Sequence, residues 1–142
     1  HDLKNDRTNN FDFALEEVVQ FEGETGPYVQ YTHARAMSIL RKANHTVDTK
    51  EAFSLTDDDA WEVLKLIENY PNVVRFAEEK CEPSAIAKFV INLAQAFNKY
   101  YAHTKVLVED EAFNSRIALV QTTASILKQG LALLGVAAPD EM

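Results

Sequence analysis

A chain of 142 residues, 46% apolar and 25% charged, fits one soluble domain with room for a buried core. Only four glycines and four prolines are present, too few turn formers for an all-β sandwich or barrel, so the composition leans helical. A net charge of −8 lacks the basic footprint usual in nucleic-acid binders, although a binding face needs only local positive charge.

The first ten residues are polar and read as a connecting segment, and Phe11 to Val19 can form a short helix with Asp12 as its cap. "EGETG" then breaks the pattern. A helix starts at Pro27, whose fixed φ suits the first turn, with Gly26 as the cap. Val29, His33, Ala36, Leu40 and Ala43 share its apolar face, and Tyr31, Arg35, Ser38 and Lys42 share a basic one.

In "LTDDDAWEVLKLIENYP" a second helix is expected, capped by Thr56 and stopped before Pro71. Trp61, Leu64 and Ile67 form its expected buried stripe, and residues 71–82 read as a helical turn or packed loop. Pro83 opens a helix to about Leu107, with Ile86, Phe89, Val90, Leu93, Phe97 and Tyr100 inward. Lys88, Asn92, Gln95 and Lys99 are expected to face outward.

The last helix runs from about Ala112 to Leu134. Phe113, Ile117, Val120, Ala124, Leu127, Leu131 and Leu134 form one stripe, and Leu119, Ile126 and Leu133 a second. A helix apolar on two sides packs centrally, and Gly135 supplies its left-handed stop. No stretch alternates as a strand does. The expected fold is an all-α bundle of four to five main helices.

The chemistry of an active site is not legible. His1, His33, His45 and His103 lack paired metal-ligand spacing, and His33 on an apolar face reads as a hydrogen-bonded core residue. Asp57, Asp58 and Asp59 suit a helix start better than a metal, and no phosphate-binding glycine loop exists. The single cysteine, Cys81, excludes an internal disulfide and fits a reducing compartment. No apolar run reaches the roughly 18 residues of a membrane span, and "HDLKNDRTNN" has no signal-peptide core, so a cytoplasmic protein is expected.

Two helices each carry a wet basic stripe with tyrosines beside it. Lysine and arginine suit phosphates, and Tyr31, Tyr100 and Tyr101 could stack on unpaired bases. Solvated surface charge and core-capping tyrosines explain the same pattern. On the residues alone, an RNA-binding module and a helical protein-interaction domain both stand.

Longer motifs carry a resemblance. "FEGETGPYVQYTHARAMSILRK", "AFNKYYAHTKVL", "RIALVQTTASILKQGLALLGV" and the closing "APDEM" resemble the C-terminal helical domain of bacterial arginyl-tRNA synthetases, class I enzymes whose anticodon-binding module is called the DALR domain. The resemblance covers essentially the whole chain. It implies that residues 1–24 leave a catalytic domain, absent here, and that residues 25–142 bind the anticodon stem and loop of tRNA(Arg). The fragment itself would hold no cofactor and perform no catalysis. ATP, with magnesium, would serve the parent arginine–tRNA ligase, and a monomer is expected.

Carried onto this chain, the resemblance makes Tyr101 a base-stacking candidate and Met142 a thioether contact to a base. Arg35, Lys99, Lys105 and Arg116 become phosphate-contact candidates, and residues 71–83 stand where some members have a loop that rearranges on tRNA binding. One departure stands out. The family often places arginine before the last methionine, whereas here Asp140 and Glu141 would repel RNA unless they point away.

Overall fold

The computed structural model describes residues 25–142, which form helices α1 (Gly26–Ala43), α2 (Asp58–Lys80), α3 (Ser84–His103) and α4 (Phe113–Leu133). The expected connection at 1–24, with its short helix at 11–19, lies outside the described residues. Helices α3 and α4 form the central pair, each touching every other helix, while α1 and α2 flank them. The all-α bundle expected from composition and periodicity is the fold observed among the described residues.

Helix α1 begins on Gly26 and Pro27 without a side-chain cap, and its core face holds Val29, His33, Ala36 and Ile39. It stops at Asn44, whose left-handed φ of 45° lets its N–H reach the Leu40 carbonyl. Arg41 and Lys42 lie in the last turn, where cations match the negative end of the helix. Residues 44–57 then cross to α2, pinned by the first turn of α4. The buried Asn114 side chain accepts from Asp48 N–H and His45 Nε2 and donates to the Asp48 carbonyl, and Ser115 Oγ accepts from Ser54 N–H.

Helix α2 departs from expectation in three ways. Its cap is Asp57, whose carboxylate accepts from Ala60 N–H at 3.1 Å, rather than Thr56. Pro71 does not stop the helix, because it lies on the exposed side, where the lost hydrogen bond costs least; the turns continue to Lys80. Residues 71–80 are therefore helix, not a loop, and the left-handed Cys81 makes the stop. The buried stripe is also turned by one residue. Ala60, Val63 and Ala77 face the core, Leu64 and Ile67 are half-buried, and Trp61 is 56% exposed. Small side chains let this flanking helix approach α3 closely, which leaves the large indole outside.

Helix α3 buries the expected stripe from Ile86 to Tyr100 and ends at His103, one turn before Leu107. Val106 folds back into the core, which the chain reaches only by leaving the helix. Helix α4 is buried on nearly every side, as its double apolar pattern requires, although Leu133 is half-exposed. Where α3 and α4 cross, a Cβ on Gly130 would stand 2.4 Å from Val90 Cγ1, so the close approach requires glycine. Gly135, at φ 75°, closes the helix as expected.

Candidate nucleic-acid interface

The polar face of α1 meets α3 at Asn98. The Asn98 amide donates to Thr32 Oγ1 (2.8 Å) and to the Tyr28 hydroxyl (2.9 Å). Its carbonyl oxygen accepts from Arg35 Nη1 at 2.7 Å. Thr32 in turn donates to the Tyr28 carbonyl one helical turn back. Asn98 therefore fixes the exposed Arg35, and the guanidinium carbon lies 5.1 Å from the centre of the Tyr101 ring. Tyr101 follows Asn98 by three residues, the spacing that puts both on one side of α3.

Beside this pair lies an open groove of about 430 Å³ lined by Tyr31, Ala34, Arg35, Ser38 and Arg41 of α1 and by Asp140, Glu141 and Met142 of the closing segment. Gln30 Nε2 donates to the Ala137 carbonyl (2.8 Å), His33 Nδ1 to the Pro139 carbonyl (3.0 Å) and Arg41 Nη1 to the Asp140 carbonyl (3.2 Å). Arg41 also stands 4.0 Å from the Glu141 carboxylate. Of the expected site residues, the fold thus gathers Arg35, Tyr101 and Met142 on one face, with Tyr31 beside them. His33 is 1% exposed and hydrogen-bonded, the core role expected for it.

The remaining candidates lie elsewhere. Lys99 faces α2, with its ammonium 3.7 Å from both Asp59 and Glu62, and His103 Nδ1 stands 2.7 Å from the same Asp59. Lys105 is exposed in the turn after α3, and no hydrogen bond or ion pair engages it among the described residues. Arg116 is 7% exposed and cannot meet a phosphate in this fold. Its Nε donates to the Val106 carbonyl (3.2 Å), and its Nη2 donates to the Val108 carbonyl and to Asp110 Oδ1 (2.7 Å). The Arg116 hydrogen bond holds the Asp110 carboxyl below its ordinary value. This arginine is the anchor of the 104–112 turn.

Tyr100 also leaves the stacking set, because it is fully buried and its hydroxyl has no partner among the described residues. Burial, with the Asp57 charge adding to it, pushes its phenol far above the ordinary value, partly offset by Arg116. Sequence reasoning missed Asn98, Tyr28 and Arg41. The signal for Asn98 was its place three residues before Tyr101; Arg41 gave none, since its partners come from a distant segment.

Among the described residues, no group of three His, Cys, Asp or Glu side chains could hold a metal ion, and no helix is long and apolar enough to cross a membrane.

Residues 29–142 match the family described as the DALR anticodon binding domain. Over all 142 residues the chain is 64% identical to an arginine–tRNA ligase of Enterococcus faecalis and 58% identical to one of Streptococcus agalactiae, covering 25% of each. It thus spans about a quarter of the length of the curated relatives it matches. Among solved structures, the Thermus thermophilus arginyl-tRNA synthetase aligns with 86% of this chain at a TM-score of 0.73 and 37% identity; the match covers 22% of that chain.

Proposed function

The chain belongs to the DALR anticodon-binding domain family, and from that premise we propose that its α1–α3 face recognises the anticodon stem and loop of an arginine tRNA. The observation that carries this reading is the Arg35–Tyr101 pair, a guanidinium fixed by Asn98 against an exposed aromatic ring. Both planes accept an unpaired base, and the guanidinium also answers a phosphate. Tyr31 and Met142 extend the surface, and Lys105 adds an exposed cation that no ion pair engages among the described residues. Arg116 has no part in it, and Lys99 at most a partial one.

In this reading, residues 1–24 lead from a catalytic domain and residues 25–142 are the binding module. The longer chain is an ATP- and magnesium-dependent arginine–tRNA ligase, acting in the cytoplasm as a monomer. ATP would supply the energy for activating arginine in that domain; the present chain holds the distal end of the tRNA so that its acceptor end reaches the chemistry. The alternative of a helical protein-interaction domain draws no support from the relatives.

Titration of the chain with an arginine tRNA anticodon stem-loop, across salt concentrations and against an unrelated stem-loop, tests the proposal. Preference for the arginine stem-loop and affinity that falls with salt are expected. Equal binding of both, with no salt dependence, defeats the reading.

A further inference from the structure

Every hydrogen bond from α1 side chains to the closing segment is received by a main-chain carbonyl. Gln30, His33 and Arg41 grip the carbonyls of Ala137, Pro139 and Asp140 in that order, so the segment climbs α1 in the direction of the helix. Val136 and Ala138 add partly buried apolar contacts. A grip on carbonyls is indifferent to the side chains it holds, which leaves residues 140–142 free to carry two acids and a methionine at the groove.

The three donors are not equivalent. Gln30 and Arg41 can trade a carbonyl for water at little cost, since both hydrogen bonds are exposed. His33 has more to lose, because its ring is 1% exposed with the segment in place, and lifting the segment would strip Nδ1–H of its carbonyl and uncover the ring together. That penalty fixes Pro139, and with it the reach of the three residues that follow.

We propose that His33 is a positioning residue of the RNA-binding face: through the Pro139 carbonyl it seats the closing segment so that Met142 lies in the groove beside Tyr31 and Arg35, while Arg41 turns Glu141 aside. The first half concerns the segment alone, and the second rests on the RNA reading above. His33 touches no RNA in this scheme and acts through Met142. It also answers the departure from the family pattern, since Arg41 faces both the Asp140 carbonyl and the Glu141 carboxylate.

The test compares His33→Leu, which removes the donor, with His33→Asn, whose amide nitrogen takes the place of Nδ1. The methyl resonance of Met142, assigned with Met142→Ala, reports the seat without RNA. It is expected to shift and sharpen in His33→Leu and to stay near wild type in His33→Asn. His33→Gln, whose longer amide takes the place of Nε2 and not of Nδ1, supplies a second loosened variant should His33→Leu fail to fold. An unmoved methyl in the loosened variants overturns the grip.

With the arginine tRNA anticodon stem-loop as probe, His33→Leu should weaken binding about fivefold, with His33→Asn restoring it. In a Met142→Ala background the same substitution should have no further effect. A loss of equal size in that background, or no loss in either, overturns the positioning role. A wild-type chain that binds no stem-loop defeats the RNA reading and this second half with it, while the methyl spectrum still decides the first.

Discussion

The two flanking helices carry opposite charge. Helix α1 contains no aspartate or glutamate, and neither does α3 or α4. Among the described helices, every acid lies on α2, with Asp58, Asp59 and Glu62 at its start, Glu68 midway, and Glu78 and Glu79 at its end. The net charge of −8 is therefore a poor guide to any one face. On the α1 flank Arg35 lies against a tyrosine and an amide, and no carboxylate is ion-paired with it among the described residues. On the α2 flank Lys99 sits between two carboxylates. Both cations read alike as phosphate contacts in the sequence; the neighbouring helix separates them.

The largest expected effect lies on neither flank. Arg116→Ala strips the Val106 and Val108 carbonyls and Asp110 of their donor and should cost about 3 kcal/mol of stability, read from the urea midpoint. The folded fraction should bind the stem-loop with an unchanged salt dependence. A shallower salt slope would return Arg116 to the interface and break the assignment of binding to α1 and α3. Next comes Tyr101→Ala, expected to weaken stem-loop binding by about 2 kcal/mol if the ring carries a base, with little change in stability. Unchanged affinity would take Tyr101 out of the site.

Much of the fold was legible because its signals are local and repeated. The stripe of α3, the double stripe of α4 and the Gly135 stop all follow from spacing and conformational freedom. The α2 errors have one source. Both Trp61 and Ala60 can begin a helical stripe, and only the closeness of α3 decides that alanine goes inward. Pro71 reads as a stop until the exposed side on which it falls is known. Among the candidate site residues, Arg35, Tyr101 and Met142 were named through resemblance, and their gathering on one face was not legible. Asn98 joins α1 to α3 across 63 residues of chain, and His33 meets Pro139 across 106. Arg116 was misread for a related reason, and so was the offer of Tyr100 as a stacking ring, although its stripe had placed it inward; an arginine's or tyrosine's surroundings depend on which helix closes over it.

The charge comparison sharpens with a matched pair. Arg35→Gln should weaken binding by about 1 kcal/mol and reduce the salt slope by about one ion. Lys99→Gln should change it by no more than about 0.5 kcal/mol, because Asp59 and Glu62 already neutralise that ammonium. Equal losses from the two substitutions would mean that RNA reaches across α3 and that the acids of α2 do not guard their side.

The smallest effect is one of pH, at the turn that Arg116 holds. Arg116 lowers the Asp110 carboxyl in the folded state, so folding favours its charged form. The stabilisation is complete above the ordinary carboxylate value and fades as pH falls through the lower folded value. Asp110→Asn removes that contribution, so the variant should be slightly less stable than wild type near neutrality. In urea titrations from pH 7 downward the two midpoints should converge only once pH has fallen past the lowered folded value and the wild-type carboxyl is protonated too. A gap that stays constant to the lowest pH would assign the effect to the side chain's shape, and Arg116 would then hold the turn through the two carbonyls alone.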